Sequence, residues 1–256
     1  MRRGGMPGAL AAEWTKLWSI RSTWWGLAGA FLLMALMSVI LATGTVSNNT
    51  RPPAGETPPG VVSVSGTATG SVDMVQFVVL ALAILMITGE YATGSIRATL
   101  QWVPPRTRLL SAKAAVAMAV MLPVGVALTL TGTAAAYPML GKWGRLDAGD
   151  AVRDALLTGV YLAVMSAFIL GVAAMLRSTA ATITTAFLFV LVLPITLVNA
   201  RSELMKDIAD GLPSTAGRHL LDGDGPYPAA VALLIIAAWT AAALWGGITV
   251  LRRRDA

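Results

Sequence analysis

Few residues of this chain could do chemistry, and the usual catalytic arrangements are missing. There is no cysteine and a single histidine, His219. Disulfides, thiolate metal sites, cysteine nucleophiles and any site needing two imidazoles are therefore excluded. The sequence contains no H-E-x-x-H, no G-x-S-x-G and no G-x-x-x-x-G-K-[ST]. Without the last of these, no loop of this chain would hold nucleotide phosphates, so no catalytic residue, metal or cofactor is expected on it. His219 reads as a solvated or capping residue of a loop. The remaining candidates lie in three polar regions whose chemistry would be contact and charge pairing.

The first region, residues 11–25, places Trp14, Leu17, Trp18 and Arg21 at helical spacing, with Glu13 and Lys16 beside them. It reads either as an amphipathic helix at the membrane surface, with Lys16 reaching headgroups, or as an aromatic belt at the start of a span; the two can coexist. The second, residues 89–113, carries Arg97, Arg106, Arg108 and Lys113, with Glu90 as a lone carboxylate expected to pair with one of these cations. Thr93, followed by Ser95, can cap a short helix over 93–103 that Pro104 and Pro105 must end. Ile96, Leu100 and Val103 then share a narrow apolar face. Such a loop is either an ordinary basic anchor to anionic lipid or a stiff element offered to a cytoplasmic partner, and its double-proline stop favours the second. The third region, 200–228, holds a short helix with Leu204 and Ile208 four apart, ended by Gly211, and a second short segment beginning at Leu212 and Pro213. These lie on the membrane surface or dip back into it.

The elements that must position these regions are transmembrane helices. The chain has 256 residues, of which 56% are hydrophobic and 12% charged, with a mean hydropathy of +0.70. A soluble domain carries roughly a quarter of its residues as charges. Six stretches approach the ~20 apolar residues that cross a bilayer: 24–43, 72–88, 114–137, 155–176, 182–199 and 229–251. The fold expected is all-α, one polytopic membrane domain over 1–256. The link 177–181 is tight enough to make the fourth and fifth spans an antiparallel pair. Pro123 and Pro194 should kink the third and fifth.

Most of the nineteen Lys and Arg residues fall on one side: Arg2, Arg3, Lys16, Arg21, Arg97, Arg106, Arg108, Lys113, Arg177 and Arg252 to Arg254. Because cytoplasmic loops concentrate Lys and Arg, both termini are expected in the cytoplasm. The run after the basic N-terminus is too long for a typical signal peptide, and no cleavage is expected. The basic residues are dispersed, which argues against nucleic acid. Residues 45–71, rich in Pro, Gly, Ser and Thr, read as a flexible external loop. No charge lies well inside a predicted span, with Asp73 and Asp154 only at outer edges; an ion-coupled carrier usually needs such groups.

With these regions in place, the chain resembles permease subunits of ABC-2 type bacterial ABC transporters. The resemblance covers nearly the whole sequence. It rests on E-W-T-K-L-W-S-I-R-S-T at 13–23, G-E-Y-A-T-G-S-I-R at 89–97, P-P-R-T-R at 104–108 with Lys113, L-P-S-T-A-G at 212–217, and the terminal L-R-R-R-D-A. It implies that 11–21 is an interfacial connecting helix and that 93–103 is a coupling helix seated on an ATPase subunit, with Glu90 and Arg97 near that contact. It also implies that 202–221 forms short external helices closing the outer side. The partners implied are a dimer of cytoplasmic ATPase subunits, which bear ATP and magnesium, a second permease copy and membrane lipid. The location implied is the bacterial cytoplasmic membrane. The function expected is export of a hydrophobic or amphiphilic small molecule. The alternatives are a non-transporting sensor or immunity component and, less favoured, an ion-coupled carrier.

Overall fold

The structure is a computed structural model describing residues 5–96, 106–200 and 202–253. Among these residues the chain is all-α apart from a two-residue parallel ladder. The first helix, α1 (Met6–Ser19), is followed without a loop by α2 (Arg21–Thr50). Ile20 alone separates them, its backbone extended at φ −93° and ψ 122°, so the chain changes direction at one residue. Then come β1 (Val62–Ser63), α3 (Val64–Ala92), α4 (Arg106–Leu140), β2 (Gly144–Arg145) and α5 (Ala148–Leu176). A helical rod made of α6 (Thr179–Phe187), a π-helical turn (Leu188–Val192) and α7 (Leu193–Val198) follows. Two short helices, α8 (Glu203–Asp210) and α9 (Pro213–Asp222), precede the last long one, α10 (Ala229–Arg253).

Six helices are long and apolar enough to cross a membrane: α2, α3, α4, α5, the α6–α7 rod and α10. Their outward faces keep large apolar side chains exposed, among them Leu32, Leu36, Leu234 and Trp245. Water would not tolerate so much contiguous apolar surface, whereas lipid does. Central α5 is the most enclosed, and α6–α7 the least. Its contacts need glycine: a Cβ on Gly125 of α4 would sit 2.7 Å from the Cα of Gly159 in α5, and one on Gly171 of α5 would sit 2.6 Å from the carbonyl carbon of Ala243 in α10. Backbone therefore meets backbone across α5 on both sides.

The helices outrun the apolar stretches that announced them. α2 continues to Thr50 and α3 begins at Val64, so the expected flexible loop over 45–71 shrinks to the residues between them. Even that loop is tied at its base. Asn49 accepts from the Gly60 amide at 2.8 Å and donates to the Gly60 carbonyl at 3.0 Å. Val62 and Ser63 then pair with Gly144 and Arg145. The longer helices also change the standing of the acidic residues placed at span edges. Asp73 lies well inside α3 and is bound by Arg218 of α9, and Asp154, inside α5, accepts from Ser65 at 2.7 Å. Polar partners allow a helix to continue where apolar content alone would end it.

The tight link before α6 is confirmed. Arg177 takes a left-handed conformation (φ 55°) that ends α5, and Ser178 caps α6 through the Ala181 amide. Pro194 stands just past the π-turn. There the Leu193 amide reaches five residues back to the Leu188 carbonyl, and Pro194, which has no N–H, leaves the ladder one bond short.

Candidate functional site

The α1 end of the bundle gathers most of the residues singled out in the first two polar regions. On α1 the buried residues are Ala9, Glu13 and Leu17. Spaced by four, they form one stripe with a carboxylate at its centre. Leu17 packs on Val116 and Val120 of α4, which brings Glu13 against Lys113.

Lys113 is 1% exposed, and its ammonium group is saturated: it donates to Glu13 Oε2 at 2.6 Å, Glu90 Oε1 at 2.7 Å and the Met86 carbonyl at 3.0 Å. Three donors meet three acceptors, the full capacity of the group. Lys16, at the mouth and 42% exposed, donates to Glu13 Oε1 at 3.1 Å and to Glu90 Oε1 at 2.9 Å. Among the described residues, two cations and two carboxylates thus alternate in a cluster that joins α1, the end of α3 and the start of α4. Partial burial works against the Lys16 charge, but the hydrogen bonds and charges of Glu90 and Glu13 outweigh it and raise its pKa above the ordinary lysine value. Among the described residues, Glu90 Oε2 is buried and accepts no hydrogen bond.

Other ties stiffen the same end. Arg106 donates to the Leu251 carbonyl and Arg177 to that of Val250 at 3.4 Å, so two guanidinium groups meet the last carbonyls of α10. Arg177 also lies over the Tyr91 ring, 5.3 Å from its centroid. Thr179 bonds Thr88 at 2.8 Å. Beside the ion cluster a cavity of about 650 Å³ opens between α1, the start of α2 and the end of α3. Its lining mixes the apolar Leu17, Leu82, Leu85 and Met86 with the charged cluster, Ser22 and Thr23.

The second region begins differently from its sequence reading. Thr93 does not start a new helix: it caps the end of α3, donating to the Gly89 carbonyl at 2.9 Å and bonding Ser95. Gly94, at φ 70°, then turns the chain out of α3. Ser95 is exposed, and Ile96 is buried and helical. Arg97, Leu100 and the rest of the expected coupling helix to 103 lie outside the described residues. Arg108 stands in the first turn of α4. Arg21 leaves the α1 stripe and opens α2, because Ile20 breaks the helical register. Trp14 is exposed, and Trp18 packs between Trp14 and Trp24, with ring centroids 5.8 and 5.0 Å away.

At the opposite end, α8 and α9 behave unequally. Leu204 and Ile208 of α8 are exposed, whereas Leu212, Pro213 and most of α9 are buried. A Cβ on Gly217 would lie 2.1 Å from the Tyr161 ring, so α9 rests directly on α5. Arg218 holds Asp73 in a two-pronged pair and has its pKa raised, first by that hydrogen bond. His219 bonds Asp210 at 3.0 Å, Tyr227 donates to the Asp210 carbonyl at 2.5 Å, and Trp239 donates to Gly211 at 2.9 Å. Beneath, buried Tyr161 donates to Gln76 at 2.7 Å. His219 thus has a tying role within the α8–α9 corner.

Sequence reasoning missed Glu13 as a partner of Lys113, and missed the Asp73–Arg218 and Gln76–Tyr161 pairs. A signal existed for the first: Glu13 falls four residues from Ala9 and from Leu17. No protein-family model matches the chain, and no curated protein matches it significantly.

Proposed function

We propose that this chain is the membrane-spanning permease subunit of an ABC transporter of the ABC-2 type, with its α1 end in the cytoplasm. The observation carrying this reading is the ion cluster of Glu13, Lys16, Glu90 and Lys113, which braces α1, the end of α3 and the start of α4, the two helices that flank residues 93–105 in sequence. An ATPase that pushes on such a segment must push on something that does not yield. A cluster whose central ammonium, that of Lys113, has all three donors answered passes that displacement to three helices at once. Transport would follow from rocking the bundle, with a second copy of this chain completing the pathway and α8–α9 closing its outer side. The cargo would be a hydrophobic or amphiphilic small molecule.

The test is co-purification in mild detergent with the ABC ATPase encoded beside this chain, assayed for nucleotide-dependent association and ATP hydrolysis. A stable complex whose stimulated hydrolysis falls on Arg97→Glu or Ile96→Pro, with membrane insertion unchanged, supports the reading. Unchanged coupling in both variants removes the role of 93–103. One observation favours a second reading, an ion-coupled carrier: Asp73 lies inside α3, facing Arg218. Substrate uptake into vesicles driven by an ion gradient without any ATPase would establish it.

A further inference from the structure

A second cavity shares no residue with the one beside the ion cluster. It holds about 290 Å³ and is half open. Three helices line it, each with residues of one face: Phe168 and Val172 on α5, Thr185 and Phe189 on the α6 rod and its π-turn, Trp239 and Ala242 on α10. Among the described residues that line it none is charged, and Thr185 carries the only hydroxyl. The Trp239 N–H is already given to the Gly211 carbonyl at 2.9 Å. A charged or strongly polar ligand would be desolvated there with little in return. The lining therefore calls for a neutral, apolar molecule.

Depth, size and the rings narrow the choice. Trp239 stands ten residues after Ala229 and fourteen before Arg253, about 15 and 21 Å from the ends of α10. Phe189 is as central in its rod, between Thr179 and Val198. At that depth an anchored phospholipid offers only the far part of an acyl chain. A flexible chain loses rotamer freedom when it is held, whereas a rigid ring system loses little. An apolar cavity of about 150 Å³ takes one benzene, so this one has room for two rings. The centroids of Phe168, Phe189 and Trp239 lie 5.2 to 6.4 Å apart, with Trp239 edge-on to both phenylalanines. These are separations at which aromatic pairs attract, and each added pair is worth about twofold to tenfold in affinity. A saturated chain gains none of that.

We propose that this cavity is a binding site for an uncharged aromatic hydrophobe of about two rings, reached from the hydrocarbon between the α6–α7 rod and α10. Phe168, Phe189 and Trp239 supply the recognition, and Ala242 leaves the space for it. The assignment does not rest on the permease reading.

The experiment is photolabelling of the full chain in phosphatidylcholine vesicles with phenyl trifluoromethyl diazirine, an uncharged aromatic probe, with labelled residues located by mass spectrometry. Label should concentrate on residues 168–175, 185–189 and 239–243 and saturate. Naphthalene should displace it at about tenfold lower mole fraction in the membrane than decalin, which has the same two-ring skeleton without the aromatic electrons. Phe189→Leu removes one ring and should bring naphthalene closer to decalin by about twofold or more. Ala242→Phe fills the space from an exposed position and should lower labelling of 168–175 at least tenfold, with unchanged elution in size-exclusion chromatography. Should that variant elute abnormally, Phe189→Leu decides, since it only shortens a part-exposed side chain. Unsaturable label spread equally over α2 around Leu32 and Leu36 would mean ordinary lipid-facing surface. Equal displacement by the two competitors would mean a void that any hydrocarbon fills. Either result overturns the proposal, as would unaltered labelling in a normally eluting Ala242→Phe or an undiminished naphthalene advantage in Phe189→Leu.

Discussion

Replacing Lys113 with methionine should release α1 from the bundle. Methionine keeps the unbranched apolar stem and removes the charge, so the packing change is small. The electrostatic change is large. Lys113 answers Glu13 at 2.6 Å and Glu90 at 2.7 Å, with its side chain 1% exposed. Removing one partner of a buried pair costs about 3–5 kcal/mol, mostly for the charge left behind. Here Lys16 still reaches both carboxylates but is 42% exposed and screened by solvent, so we take the lower end, about 3 kcal/mol. Few apolar residues hold α1 otherwise, chiefly Leu17 against Val116 and Val120. The loss should therefore appear as local opening of α1 and leave the core intact. At 1.4 kcal/mol per tenfold, the detached population rises about a hundredfold. Trypsin cleavage after Lys16 in detergent, read by mass spectrometry while cleavage is slower than reclosing, reports that population. Lys113→Met should be cut about a hundredfold faster than the parent, and the neutralised triple variant Glu13→Gln, Glu90→Gln, Lys113→Met should return close to it. An unchanged rate in the single variant, or a triple variant as labile as the single, would refute the reasoning. Apolar packing would then be what holds α1.

Other consequences concern the opposite end. Gly217→Ala should lower thermal stability by about 1–3 kcal/mol, since the new methyl meets the Tyr161 ring; adding Tyr161→Leu should recover part of the loss in the same melt. Tyr161→Phe should cost about 1–3 kcal/mol by leaving the buried Gln76 oxygen unanswered. Asp73→Asn should cost under ~1 kcal/mol, because Arg218 is largely exposed. Equal losses in these two variants would contradict that ranking. Burial, and then the Asp210 charge, push the Tyr227 hydroxyl up to about 12. A folded value above the unfolded one near 10 means that the contribution of its hydrogen bond is whole below pH 10 and lost as the pH rises through 12. The difference in phenolate absorbance between the parent and Tyr227→Phe should therefore appear near pH 12; appearance near pH 10 would count against it.

Apolar runs announced the six long helices because lipid leaves little choice: a segment of that length and composition has to be a buried or membrane helix. They did not announce where those helices end. Past Thr43 the sequence turns to Thr, Ser and Asn, residues that read as loop, yet in α2 their side chains bond carbonyls of their own helix, as Thr45 does with Leu41 and Thr50 with Val46. Asp73 looked like a span boundary for the same reason, since its partner Arg218 lies 145 residues away. Local sequence carries the helix period but not the identity of a partner that distant. Glu90 was correctly read as a carboxylate awaiting a cation, and the choice among four cations fell to Lys113, with Lys16 added, because α1 lies across the start of α4. Arg106, named with the same group, turned to the end of α10. The break at Ile20 left no signal in composition, and it moved Arg21 off the stripe that holds Leu17.

A last consequence follows from the cluster being ionic at all. Methionine and leucine in its place could bury as much surface, and replacing a buried ion pair with apolar packing often leaves stability unchanged or improved. Stability alone therefore does not account for Glu13 on a helix whose other buried residues are Ala9 and Leu17. What the charges add is position. An apolar α1 could slide along α4 by a turn at little cost, whereas Lys113 between two carboxylates has one arrangement in which all three of its donors are answered. Glu13→Leu, Glu90→Leu, Lys113→Met should thus keep the thermal stability of the parent within ~1 kcal/mol and lose the single placement of α1. Spin labels on exposed Trp14→Cys and on exposed Ser95→Cys, feasible because the chain has no other cysteine, would read it by electron paramagnetic resonance. One narrow distance in the parent background should become several in the apolar variant. A single unchanged distance there would mean that shape, not charge, places α1, and that the ion cluster is dispensable for bracing the segment it adjoins.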